Sequence, residues 1–83
     1  MAKYIEFVLA EHKPKTNVWN VQAKEDGAFL GIVKWSGGWR CYIFEPDAET
    51  IYEKQCLRDI AEFLERETQA VRDQWRKPQN VQV

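Results

Sequence analysis

The sequence predicts an α+β domain in the order β-β-β-β-α: an antiparallel β-meander of three to four strands, with one long amphipathic C-terminal helix packed on one face. Three observations carry this. Up to Pro46 the apolar residues come in short runs, the clearest of them alternating with period two. Turn signals built on Gly and Pro separate those runs. Beyond Thr50 the apolar period becomes that of a helix.

Taken in order, Lys3–Ala10 is rich in strand formers (Tyr4, Ile5, Phe7, Val8). The polar stretch from His12 to Asn17 breaks it at Pro14, whose ring fixes φ and removes a donor. Val18–Lys24 reads V-W-N-V-Q-A-K, a regular alternation. Asp26-Gly27 supplies a hairpin signal, because a type I′ turn needs two positive φ angles. Phe29–Trp35 is the next strand, Ser36-Gly37-Gly38 a turn, and Trp39–Glu45 a strand that Pro46 ends. In the helix, Leu57, Ile60, Ala61, Leu64, Thr68, Val71 and Trp75 share one stripe, widened by Cys56 and Phe63. Arg58, Glu62, Arg66 and Asp73 form the solvated opposite side. Asp47 or Thr50 caps the start and Pro78 stops the helix, which places one domain over 1–77 and a flexible tail over 78–83.

Two-residue turns at Asp26-Gly27 and Gly37-Gly38 assign the faces of the sheet by parity. They pair Ala23 with Leu30, Val21 with Ile32, Ile32 with Ile43, and Lys34 with Cys41. One face then holds Trp19, Val21, Ala23, Leu30, Ile32, Cys41 and Ile43, and the helix stripe covers it. The other collects Val18, Asn20, Gln22, Lys24, Phe29, Gly31, Val33, Trp35, Arg40, Tyr42 and Phe44. There Trp35 faces Arg40 as a cation–π pair, and the Phe44 ring folds over Gly31. A three-residue turn at Ser36-Gly38 would instead pair Trp35 with Trp39 and send Tyr42 and Phe44 toward the helix. Either the N-terminal strand covers the aromatic face or the face binds something. Three aromatics at ~150–250 Å² each represent roughly 10 kcal/mol of burial, which rivals the whole stability of a small domain.

The bulk numbers exclude several function classes. With 83 residues, 45% apolar and 30% charged, the chain is globular and of single-domain size. A net charge of −1 argues against a generic basic nucleic-acid coat. Met1–Lys13 lacks the regions of a signal peptide, and no stretch reaches the ~20 apolar residues of a membrane span, so a cytoplasmic protein is expected. Cys41 and Cys56 read as reduced thiols, and with His12 they are too few ligands for a metal site. No nucleophile–base set is visible: His12 lies in a loop, and Ser36 lacks the G-x-S-x-G frame. No catalytic residue, cofactor or metal is expected.

Over Leu30–Glu67 the chain resembles small phage and prophage proteins of uncharacterised function. Leu30, Gly31, Trp35, Trp39, Arg40, Tyr42, Phe44, Pro46, Cys56 and Leu57 match their loosely shared pattern: Leu-Gly, a tryptophan, a short turn, Trp-Arg, an aromatic strand, a proline, then Cys-Leu opening an amphipathic helix. The resemblance implies a phage-borne accessory protein of the bacterial cytoplasm that binds a host or phage macromolecule; some proteins of that kind inhibit host defence. There is also an architectural likeness to nucleic-acid-binding sheets backed by one helix, such as integrase arm-binding and AP2 domains. Those use more Lys and Arg on the sheet than Lys24, Lys34 and Arg40 provide.

The expected function is therefore non-enzymatic binding of a protein, with Trp35, Tyr42 and Phe44 as aromatic anchors, Arg40 as a planar donor, and Phe29 and Lys24 at the edge. Nucleic-acid stacking on the same face is the second choice, and a homodimer the close variant. A helix over 53–75 spans about 34 Å, longer than strands of ~17–20 Å. It either crosses the sheet diagonally or carries Val71 and Trp75 out to an oligomer or partner contact.

Overall fold

The computed structural model describes the backbone of residues 4–81 and the side chains of residues 4–74. Four strands, β1 (Ile5–His12), β2 (Asn17–Ala23), β3 (Phe29–Ser36) and β4 (Cys41–Pro46), form one antiparallel sheet in the order β1-β2-β3-β4. A single helix, α1 (Lys54–Val81), follows. The fold is thus the α+β meander that the sequence predicts. The N-terminal strand lies beside β2 at the edge of the sheet and does not cover the second face.

The register departs from expectation at one residue. The β2–β3 loop is longer than two residues: the Ala23 N–H donates to the Ala28 carbonyl at 2.9 Å, and Gly27 takes a φ of 73°. Gln22 pairs with Phe29, yet Val21 pairs with Gly31, so Leu30 is an extra residue, a β-bulge. One extra residue reverses the alternation of everything after it. Two donors hold the bulged carbonyl: the Leu30 C=O accepts from the Asp47 N–H at 2.8 Å and from the Tyr52 hydroxyl at 2.6 Å. Gly31 is required beside it. A Cβ there would run into the Glu45 carbonyl oxygen and come within 2.8 Å of the Phe44 ring.

The second hairpin shifts by two residues and so keeps its parity. Trp35 pairs with Tyr42 and Ser36 with Cys41, around a four-residue loop closed by the Arg40 N–H donating to the Ser36 carbonyl at 2.8 Å. Arg40, at φ 57°, supplies the left-handed residue, a role that neither Gly37 nor Gly38 takes.

The helix packs on the face that carries Ile5, Phe7, Trp19, Val21, Val33, Trp35, Tyr42 and Phe44. The buried core joins Ile5, Val21, Val33 and Tyr42 to Ile60, Phe63 and Val71. Aromatic rings interlock there: Phe63 stacks on Phe7 with centroids 3.8 Å apart, and Trp19 meets both Phe63 and Tyr42 edge-on. The stripe is centred on Ile60, Phe63, Leu64, Thr68 and Val71, which leaves Leu57 and Ala61 on its exposed shoulder. Neither Asp47 nor Thr50 caps α1. Glu53 does, its carboxylate accepting from the Cys56 N–H at 2.7 Å. At the other end the backbone stays helical through Pro78, whose missing N–H removes one hydrogen bond without ending the helix.

Candidate interaction surface

Because the bulge turns β3 and β4 over, the expected aromatic face is the covered one. Tyr42 is 3% exposed, and Trp35 and Phe44 are half-buried against the core. The Tyr42 N–H, at the outer edge of the sheet, donates to Thr68 Oγ1 at 3.0 Å, and its hydroxyl accepts from the Asn17 N–H at 3.0 Å. Burial, opposed by that bond from Asn17, holds the Tyr42 phenol above its ordinary pKa. Trp35 meets the Tyr42 ring edge-on at 5.2 Å, where a cation–π contact with Arg40 was expected. Phe44 leans on Gly31 as anticipated, although its strand partner is Val33.

Of the remaining expected residues, Val71 is buried in the core, and the Trp75 side chain lies outside the described residues. Arg40 sits in the β3–β4 loop, where its carbonyl accepts from Arg72 Nη2 at 3.2 Å. Beside it Trp39 is 80% exposed.

The bare face is mixed. Glu6, Val8, Asn20, Gln22, Ile32, Lys34, Ile43 and Glu45 alternate across it, with a 3.1 Å ion pair from Lys34 to Glu45. Such a surface suits water, as one face of an antiparallel sheet commonly does.

Phe29 and Lys24 fall elsewhere, at the end of the sheet where the β2–β3 loop, the start of β1 and the β4–α1 connection meet. A groove of about 450 Å³ opens there, floored by Ile5, Ala23, Leu30 and Cys56. Tyr4, Ile51 and Tyr52 wall it, and Lys24, Glu25 and Asp26 form a charged rim. Burial first, then the Glu53 carboxylate, pushes the Cys56 thiol up, so the floor stays neutral at pH 7. Four large apolar side chains are exposed at this end: Tyr4, Phe29, Leu57 and Ile51, the last at 93%. An apolar centre with a charged rim is the anatomy of a protein interface.

Sequence reasoning overlooked Ile51. It lies between the Pro46 stop and the Glu53 cap, with Ala48 and Tyr52 in the same connection, and nothing in the apolar periodicity draws attention to it.

At the opposite end a small cleft gathers His12, Tyr42 and Glu67. Its polar groups are structural ties: the His12 ring nitrogen Nδ1 donates to Asn17 Oδ1 at 2.6 Å, and the Asn17 N–H to Tyr42. Both cysteines are free thiols. Among the described residues no cluster of three His, Cys, Asp or Glu residues could hold a metal, and no helix is long and apolar enough to cross a membrane. No family model, curated protein or solved structure matches the chain.

Proposed function

We propose that this is a non-enzymatic accessory protein, of the phage-borne type that its Leu30–Glu67 pattern resembles, which binds another protein in the bacterial cytoplasm. The contact is the apolar end of the sheet. The observation that carries this reading is the exposure of Tyr4 and Ile51 on the walls of a groove with an apolar floor, with Phe29 and Leu57 exposed next in sequence to its floor residues Leu30 and Cys56. Leaving an isoleucine 93% in water on a connection tied down at both ends gains the free protein nothing. The connection is fixed by the Asp47 N–H to the Leu30 carbonyl and by Tyr52 to the same oxygen. A partner side chain entering the groove collects roughly 1.5–3 kcal/mol for each large apolar group buried.

Compared with the expected anchors, the site keeps Phe29 and Lys24 and replaces Trp35, Tyr42 and Phe44 by Ile51, Tyr4 and Leu57. A protein occupant is favoured over nucleic acid because the rim carries two acids, Glu25 and Asp26, against one base, Lys24.

The test compares wild type and Ile51→Asp as bait in nuclease-treated host lysate, followed by titration of any captured protein in purified form. The reading expects a protein whose affinity falls at least about tenfold on Ile51→Asp and changes little with salt, while Trp39→Ala leaves it intact. Capture that survives Ile51→Asp, or that vanishes with nuclease treatment, would overturn it.

A further inference from the structure

The two edges of the sheet are treated differently. The β4 edge is short, ends in Pro46, and is covered by α1: Thr68 takes the outward Tyr42 N–H and Arg72 the Arg40 carbonyl. The β1 edge is eight residues long and contains neither Pro nor Lys. β1 has β2 as its neighbour, and among the described residues no strand or helix lies along its other side. Long apolar edges left in this state template pairing with another chain.

The backbone shows which groups are on offer. The Lys24 N–H donates to the Tyr4 carbonyl at 2.9 Å, which sets the ladder so that the N–H and C=O of Ile5, Phe7 and Leu9 turn outward. A bulge after Leu9 ends the regular stretch. The side chains add a matching pair of features. Leu9, 55% exposed, projects on the helix side without being covered. Two residues before Phe7, beside Ile5, a groove of about 360 Å³ opens between β1 and α1, with an apolar lining of Ile5, Phe7 and Phe63 and a charged margin of Glu6, Asp59 and Glu62 against Lys24 and Arg66.

We infer that a second copy of this chain occupies the β1 edge, pairing antiparallel about Phe7 to make one continuous eight-stranded sheet. In that register Ile5 faces Leu9 of the second copy, and Phe7 faces Phe7. The projecting Leu9 of each copy enters the groove beside Ile5 of the other, so each copy supplies both a knob and a hole. Glu6 faces Val8, so no like charges oppose one another. The two-fold axis is normal to the sheet and keeps both helices on one face. The apolar end that holds Ile51 is left open in each copy, so a dimer presents two such ends.

Sedimentation equilibrium of the full chain over a concentration series tests this. The expected species has twice the 9.8 kDa chain mass. Leu9→Asp raises the dissociation constant at least about tenfold, since it removes the apolar knob and sends a carboxylate to a groove margined by Glu6, Asp59 and Glu62. Its circular dichroism should match wild type, because Leu9 is exposed in the single chain, while its melting should lose the concentration dependence that dimerisation gives wild type. In a Cys41→Ser, Cys56→Ser background, Glu6→Cys with Val8→Cys forms a covalent dimer, whereas Val8→Cys alone does not. A monomer at every concentration overturns the inference, as does a dimer that Leu9→Asp leaves untouched. Cross-linking through Val8→Cys alone overturns the register. Ile51→Asp should leave the dimer intact, so this inference and the proposed function fail separately.

Discussion

The two faces of the sheet differ both in how many apolar residues they carry and in how those residues are arranged. On the helix side, Tyr42, Trp19, Phe7 and Phe63 form a ring cluster in which each aromatic touches another edge-on or stacked. On the bare side, Val8, Ile32 and Ile43 are spaced out by Glu6, Asn20, Lys34 and Glu45. The buried face is the one that is both richer in apolar residues and contiguous in them. Isolated aliphatics among charges can stay wet, whereas a block of aromatics must be covered, and α1 covers that block.

Substitutions on either side of adjacent positions break this comparison most directly. Tyr42→Ala should destabilise by about 3–5 kcal/mol, the cost of emptying a buried aromatic site. Ile43→Ala, one residue along but on the bare face, should cost no more than about 1 kcal/mol, as a β-propensity effect. Urea unfolding of both proteins measures the contrast, and equal losses would abolish the distinction between the faces. Gly31→Ala tests what keeps the faces apart. The added methyl meets the Glu45 carbonyl and the Phe44 ring, so a loss of about 1–3 kcal/mol is expected in the same experiment.

The smallest effect is pH-dependent. Hydrogen bonds from the Cys56 and Gln55 N–H groups hold the Glu53 carboxyl below its ordinary pKa. A depressed folded-state pKa stabilises above the unfolded value and is lost as pH falls through the folded one. Acidification below about 4.3 should therefore loosen the first turn of α1, seen as a shift of the Cys56 amide resonance. The Tyr42 amide, held by the neutral Thr68, should stay in place. Glu53→Gln should remove the response.

Element order and the period change beyond Thr50 were legible, because each rests on local periodicity or on a proline. Strand limits were legible only to within two residues: β1 is Ile5–His12 and β4 is Cys41–Pro46, with Trp39 and Arg40 in the loop. The assignment of faces was not. A hairpin signal at Asp26-Gly27 fixes parity only if the ladder beyond it is regular, and the bulge at Leu30 depends on the Asp47 N–H and the Tyr52 hydroxyl, far along the chain. The Leu30-Gly31 pair was the available clue, since a glycine inside a strand often marks a bulge. At the candidate surface, sequence reasoning singles out Phe29 and Lys24 and overlooks Ile51. Loop residues become neighbours of a groove only through tertiary packing, which leaves no periodic trace.

The bulge also sets how the gene can change. Substitution at Leu30 alters one side chain, but deletion of Leu30 would slide Val33, Trp35, Tyr42 and Phe44 to the opposite side of the sheet together and bring Ile32, Lys34 and Ile43 under the helix. A lesion of a single codon there is a frameshift in space, with the message still in phase. Length variation in descendants of this chain should therefore collect in the loops at 24–28 and 37–40, and be purged between Phe29 and Trp35.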